Sequence, residues 1–491
     1  VFLPFFGDKK MMISAKSEKR LILDWTKIQD VFPVESHLAQ SHQNIIAAKK
    51  TLLEGTGKGN DFLGWVRYVV DEAPNALEAI RPVSETICSH SDAVVVVGIG
   101  GSYLGARAIY QALTHAYGHL NPGEFARRPL LFWAGNHMAS DELAELLDAL
   151  DLYSPSIIVV SKSGGTTEPA LAFRILKGYM EERFGKAEAR ERIFAITDSQ
   201  DGTLHQVATD EGYPQFAIPK NVGGRYSVFT PVGLLPLAIA GVDVGALVEG
   251  ARQAFEDAAS EKNNSLETNV ALCYAAIRNS LYKNNFKVEA LCTWSPKLSM
   301  IAEWWKQLFG ESDAKGNTGL FPASANFTSD LHSLGQYFQD GERHMFATHL
   351  RVMDEYSVAK GCVKRKVRIP SAGLKDGFEF LTNKELFDVQ SEAQQGTFLA
   401  HADGKLPSMV WEIPELNAYW LGYWLYTNMF ACGVAGYARG INPFDQPGVE
   451  AYKSNMFALL GKPGHAERGA EIRARLERGQ RLRSLGLSTK N

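Results

Sequence analysis

Between residues 93 and 197 the chain repeats one pattern: a short apolar run, a turn, then a helical stretch. The β-branched run Ala93-Val-Val-Val-Val97 ends at Gly98, and Leu130–Ala134, Ser156–Val160 and Ile193–Thr197 are runs of the same kind. Helical stretches at 102–116, 140–150 and 167–184 lie between them. A strand that is apolar from end to end has no face to offer to water. Its alternation with helices therefore predicts a parallel sheet covered on both sides. A second series follows a long helical zone at 243–283, beginning with Val288–Cys292 and continuing through Phe346–Leu350 and Ser408–Ile413. Residues 14–90 are polar and mixed, with helical stretches at 35–53 and 60–72, and the C-terminal stretch is helical and polar. The fold class expected is α/β with two domains. Residues 1–55 form an N-terminal helical segment, 56–242 and 243–440 the two α/β domains, and 441–491 a C-terminal helical segment.

Composition narrows the class. The 491 residues are 45% hydrophobic and 22% charged, ordinary usage for a globular chain with material for more than one core. Lys and Arg number 51 against 55 Asp and Glu, for a net charge of −4. Without a basic excess, no nucleic acid and no membrane surface is expected as a partner. Two charge-free stretches, Tyr226–Val242 and Asn417–Ala438, could suggest membrane spans. The first is broken by Pro231 and Pro236, and the second holds Asn417, Asn428 and several glycines and tyrosines. Both read as buried core or subunit contact. Val1–Phe6 is apolar but too short for a signal sequence. Cys88, Cys273, Cys292, Cys362 and Cys432 are odd in number and widely spaced, which suits reduced thiols and a cytoplasmic setting.

The motifs point to an anionic ligand. Gly98-Ile-Gly-Gly101-Ser102-Tyr-Leu-Gly105 fails the dinucleotide fingerprint at Tyr103 and the Walker pattern at Ala106 and Arg107. A glycine turn opening a helix still offers bare N–H groups to an anion, and a plain tight turn is an equal reading. Ser161-Lys162-Ser163-Gly-Gly165-Thr166-Thr167-Glu168 is stronger. Four hydroxyls and two glycines at the end of a strand suit a phosphate monoester better than one N-cap would require. Gly223-Gly224-Arg225 puts a guanidinium on a flexible backbone, where it can meet an oxyanion or form an ordinary ion pair. In Trp304-Trp-Lys-Gln307-Leu-Phe-Gly310-Glu311-Ser312 one carboxylate stands among aromatics. Partial desolvation would suit it to general-base work, and a solvated loop glutamate is the commoner outcome. His332 lies in a polar loop, and His332, His344 and His349 have no zinc spacing, so no metal is expected. Gln446 and Lys453 flank the head of a helical segment.

Taken in order, these segments resemble the phosphoglucose isomerase family, in its short bacterial form, over residues 60–460. The resemblance implies two sugar-isomerase domains, a homodimer with a shared active site, and no cofactor. It implies interconversion of glucose 6-phosphate and fructose 6-phosphate through a cis-enediolate, in glycolysis and gluconeogenesis. Carried over by position, Gly101, Ser102, Ser161, Lys162, Ser163 and Thr166 bind substrate, chiefly its phosphate, and Gly224 and Arg225 lie beside the reacting carbons. Gln307 and Gln446 contact substrate, and Glu311 is the base. His332 and Lys453 open the ring, with Glu168 orienting the histidine, which resembles one supplied by the neighbouring subunit. Gly165 departs from the pattern, since threonine is usual there; one hydroxyl is lost and the loop backbone loosened. The chemistry agrees with the failed nucleotide motifs, because a proton moves between two carbons and no hydride leaves. The nearest rival is a related isomerase acting on mannose 6-phosphate or an amino-sugar phosphate. The glutamine-dependent synthase needs an N-terminal cysteine, and the first here is Cys88. A non-catalytic sugar-phosphate sensor would have no use for Glu311, His332 and Lys453 together.

Overall fold

Ala93–Val97 is a strand whose alternate residues enter different cores. Val94 and Val96 join the large central core, while Ala93, Val95 and Val97 join a second cluster on the other face. That period of two is the geometry of a pleated strand buried on both sides. The computed structural model describes residues 10–13, 19–29, 31–118, 128–354 and 366–481. Cys362 lies outside the described residues. The chain divides into two units, Val1–Phe444 and Asp445–Asn491.

The first unit contains two sheets. Strands are numbered β1 (Lys10–Ile13), β2 (Leu21–Asp24), β3 (Ala93–Val97), β4 (Leu130–Ala134), β5 (Pro155–Val160), β6 (Ile193–Thr197), β7 (Gln215–Ala217), β8 (Val288–Thr293), β9 (Phe321–Asn326), β10 (Met345–Val352) and β11 (Ser408–Ile413). One sheet has the order β4-β3-β5-β6-β7 and is parallel throughout. The other has the order β1-β2-β11-β10-β8-β9. Its strands β8 to β11 pair in parallel, and β2 adds to β11 in antiparallel fashion. This is the α/β architecture the sequence pattern implies. It differs in one respect: residues 1–55 hold two strands beside helix Val34–Glu54, and β2 places Leu21 and Leu23 in the central core.

The strand order fixes where a ligand can sit. After β3 the chain turns outward to β4, then returns to place β5 on the other side of β3. Connections that leave two adjacent strands in opposite directions open a crevice at their C-terminal ends. The turn Gly98–Ser102 and the loop beginning at Ser161 emerge there, from β3 and β5.

Both charge-free stretches are core. Helix Pro231–Ile239 is buried almost throughout, started by Thr230, whose side chain accepts from Val232 N. Helix Ala418–Ala438 is nearly all buried and is capped by Asn417, whose Oδ1 accepts from Trp420 N at 2.9 Å. No helix among the described residues is long and apolar enough to cross a membrane. In the second unit, helices Glu450–Leu459 and Ala466–Arg481 pack against each other.

Candidate active site

Glu311 stands on the last turn of helix Ser299–Asp313, so it is a helical residue and not a loop one. Both of its carboxylate oxygens are held. Oε1 accepts from Gln307 Nε2 at 2.9 Å, one helical turn back, and Oε2 accepts from Arg225 Nη1 at 3.0 Å. The carboxylate keeps 27% of its side-chain exposure, while Arg225 is buried. Arg225 is tied down on two further sides, by Ser312 Oγ at 2.8 Å from Nε and by the Pro443 carbonyl at 2.7 Å from Nη2.

Two glycine segments bring this pair against the switch-point crevice. A Cβ added to Gly101 would overlap the carbonyl oxygen of Gly224, so no side chain fits between the two backbones. A Cβ on Gly100 would stand 2.9 Å from Gln307 Nε2. The turn Gly98–Ser102 is thus wedged between the Gly224-Arg225 segment and the helix carrying Gln307 and Glu311.

The hydroxyl loop is prearranged by its own backbone. Ser161 Oγ accepts from Gly164 N at 3.1 Å, and Ser163 Oγ from Gly165 N at 3.2 Å. Both hydroxyl protons therefore stay available for a ligand. Thr166 occupies the N-cap position of helix Thr167–Glu191, yet its side chain makes no capping bond. Its hydroxyl and the first helical N–H groups together suit an anion. Lys162 is turned away from this group. Its ammonium donates to the carbonyls of Lys220, at 2.5 Å, and Val222, at 3.3 Å. Burial lowers its pKa, with Asp198 acting against that. By holding the carbonyl of Val222, Lys162 ties the hydroxyl loop to the segment that leads into Gly224 and Arg225.

The remaining expected residues are placed differently. His332 is exposed, just after the short 3-10 turn Ser329–Leu331, and bonds none of the other candidate side chains among the described residues. Gln446 and Lys453 belong to the second unit, where Lys453 Nζ pairs with Glu450 at 2.9 Å. Glu168 is buried in the first turn of its helix and lines a cavity of about 480 Å³ with Arg107, Trp133 and His137. Its carboxyl makes no hydrogen bond or ion pair with another side chain among the described residues.

A buried ionic cluster behind the helix end escapes a motif reading. Asp313 accepts from Arg278 Nη2 at 2.9 Å and Arg439 Nη2 at 3.2 Å, and Arg278 Nε also pairs with Glu289 at 2.5 Å. Glu289 accepts from Tyr274 and Thr348 besides. The signal was present in the sequence: Arg278 interrupts an apolar helix and Glu289 an apolar strand, and charges in such places are buried only when paired. Among the described residues, no group of His, Cys, Asp or Glu side chains is placed to hold a metal ion.

The model of the family described as phosphoglucose isomerase matches residues 56–468. The chain belongs to the phosphoglucose isomerase family. Among its relatives, a glucose-6-phosphate isomerase of Clostridium novyi is 46% identical over 461 residues, covering 94% of this chain and 100% of the relative. One from Staphylococcus aureus is 47% identical over 455 residues, covering 92% and 99%. A hypothetical protein from Thermus thermophilus superposes with a TM-score of 0.79 at 28% identity, over 90% of this chain and 99% of the other. The glucose-6-phosphate isomerase of Chlamydia trachomatis shares the fold, with a TM-score of 0.73 at 17% identity over 93% and 92%.

Proposed function

We propose that the chain is an aldose–ketose isomerase that interconverts glucose 6-phosphate and fructose 6-phosphate, a step of glycolysis and gluconeogenesis. The observation that carries this reading is the Glu311–Arg225 pair beside a crevice whose neighbouring strand ends in hydroxyls. A base and a fixed cation side by side are what proton transfer through an enediolate needs.

Ser102, Ser161, Ser163 and Thr166 receive the phosphate. Lys162 holds the loop to the Gly224 segment and Gly101 lets the backbones meet. Gln307 Oε1 is buried without a hydrogen-bond partner among the described residues, which suits it to a substrate hydroxyl. Gln446 makes a further substrate contact. Glu311 takes the proton from carbon 2 and returns it to carbon 1, while Arg225 stabilises the charge between the two steps. One carboxylate can serve both carbons because they are adjacent.

The enzyme works in the cytoplasm as a homodimer with a shared site. His332 of the partner subunit, with Lys453, opens the sugar ring, and Glu168 orients that imidazole. The exposure of His332, of Leu334 two residues on and of Tyr337 on the following helix Gly335–Asp340 supports this reading, as does the buried Glu168 lining a cavity. The test is turnover of fructose 6-phosphate, followed by oxidation of the glucose 6-phosphate formed in a coupled assay. Absence of turnover would overturn the isomerase reading. Full activity in verified monomers would overturn the shared site.

A further inference from the structure

Ser312 has no exposed surface. A hydroxyl in such a place is costly unless it is hydrogen-bonded. Its partners form a directed chain. Arg225 Nε donates to Ser312 Oγ at 2.8 Å, and Ser312 Oγ lies 3.3 Å from the Tyr226 hydroxyl. Tyr226 donates to Cys432 Sγ at 3.5 Å, and Cys432 Sγ donates to the Leu308 carbonyl at 3.7 Å. With Tyr226 donating onward, its oxygen is left to accept the Ser312 proton. Every link then has one donor and one acceptor. The chain starts on the arginine and closes on the helix that carries Glu311. Tyr226 stays protonated because burial raises its pKa well above the ordinary value, and Trp65 stacks on its ring at 4.7 Å.

We propose that Ser312 is a positioning residue for the isomerisation: it fixes the roll of the Arg225 guanidinium so that Nη1 faces Glu311 and the developing enediolate. This rests on the isomerase reading above. Two nitrogens of Arg225, Nε and Nη2, are held by Ser312 and Pro443. A planar fork held at two corners cannot turn about its long axis, so the third corner is aimed before substrate arrives. Without Ser312, the guanidinium keeps its contacts with Pro443 and Glu311, but the hold of Glu311 weakens as that carboxylate takes up the substrate proton, so the orientation is lost at the step that needs it. Ground-state binding depends on the phosphate loop and is untouched. Stabilisation of the planar, charged intermediate is not.

The test compares wild type, Ser312→Ala and Tyr226→Phe. Ser312→Ala lowers kcat by about tenfold or more, with KM for fructose 6-phosphate within about twofold. Affinity for a planar anionic enediolate analogue falls in step with kcat, and affinity for an open-chain sugar-alcohol phosphate does not. Tyr226→Phe cuts the chain one link later and gives the same pattern with a smaller loss, which keeps the test available if Ser312→Ala folds poorly. Equal loss of affinity for both analogues, or none for either, would overturn the positioning role. Wild-type turnover tests the isomerase reading separately, and the two analogue affinities are measured by direct binding in either case.

Discussion

Nη1 of Arg225 lies 3.0 Å from Oε2 of Glu311, joining two residues 86 positions apart in the chain. The carboxylate enters the site from a helix end and the guanidinium from a 3-10 turn after two glycines. Replacing Glu311 by Gln keeps the shape and removes the proton acceptor. Turnover falls on the order of 10²–10⁴-fold or more. Glu311→Asp withdraws the carboxylate by one methylene, and a displacement of about 1 Å costs on the order of 10²-fold. Binding of a non-reacting sugar-phosphate analogue stays near wild type in both. Near-normal turnover in Glu311→Gln would remove the base assignment.

The hydroxyl loop predicts a different kinetic signature. With Ser163 in its proposed role as a phosphate donor, Ser163→Ala removes a contact that is the same in ground and transition states, so KM rises more than kcat falls. Gly165→Thr acts in the opposite direction. A Cβ at Gly165 would meet only Ser163 Oγ, at 3.7 Å, an ordinary contact. The added hydroxyl should lower KM by several-fold, on the order of one neutral hydrogen bond. Steady-state kinetics on fructose 6-phosphate checks both; a raised KM in Gly165→Thr would show that the loop rejects the side chain.

A buried histidine pair predicts acid sensitivity. His349 on β10 and His401 on helix Leu386–Asp403 are buried among Trp294, Phe327, Phe338 and Phe398, with ring centroids 5.8 Å apart. Burial, then the charge of Arg343, lowers the His401 pKa to about 4. Burial, then His401, holds His349 well below its usual value. Since the unfolded chain takes up these protons first, their contribution is complete above pH 6.5, the ordinary histidine value, and is lost as the pH falls toward 4. For His401 alone the loss is on the order of 3 kcal/mol. Urea unfolding between pH 7 and 4 measures it, and His401→Phe flattens the dependence. A wild-type stability that stays level over that range would contradict this account.

The cluster at Asp313 predicts a large stability effect. Arg278, Glu289 and Asp313 are essentially without exposure, and Arg278 also lies over the Phe309 ring at 3.8 Å. Asp313→Ala leaves two arginines without their shared partner and costs about 3–5 kcal/mol. The same change loosens the turn carrying Glu311, so kcat falls as well. Denaturant unfolding gives the first effect and kinetics the second; a loss below about 1 kcal/mol would mean that solvent replaces the pair.

Much of this was legible in the residues. The strands Ala93–Val97, Ile193–Thr197 and Ser408–Ile413 fall where their apolar runs lie, because a strand buried on both faces needs an unbroken run, and the half-buried edge strand Leu130–Ala134 also follows its run. The hydroxyl loop was legible because its residue types are local to one turn. Strand β9 was not, since Phe321-Pro-Ala-Ser-Ala-Asn326 has no β-branched residue and carries a proline, as an edge strand can. Nor was β2, whose pairing partner β11 lies near the other end of the chain. The sequence alone determined that the chain is α/β and that a loop rich in hydroxyls and glycines follows β5, because periodicity and turn chemistry act over a few residues. Only the tertiary structure decided that Arg225 would meet Glu311 and Ser312, that Asp313 would hold Arg278 and Arg439, and that Lys162 would hold Val222. A buried charge must find its partner wherever the chain crossing brings one, and no local pattern records that distance.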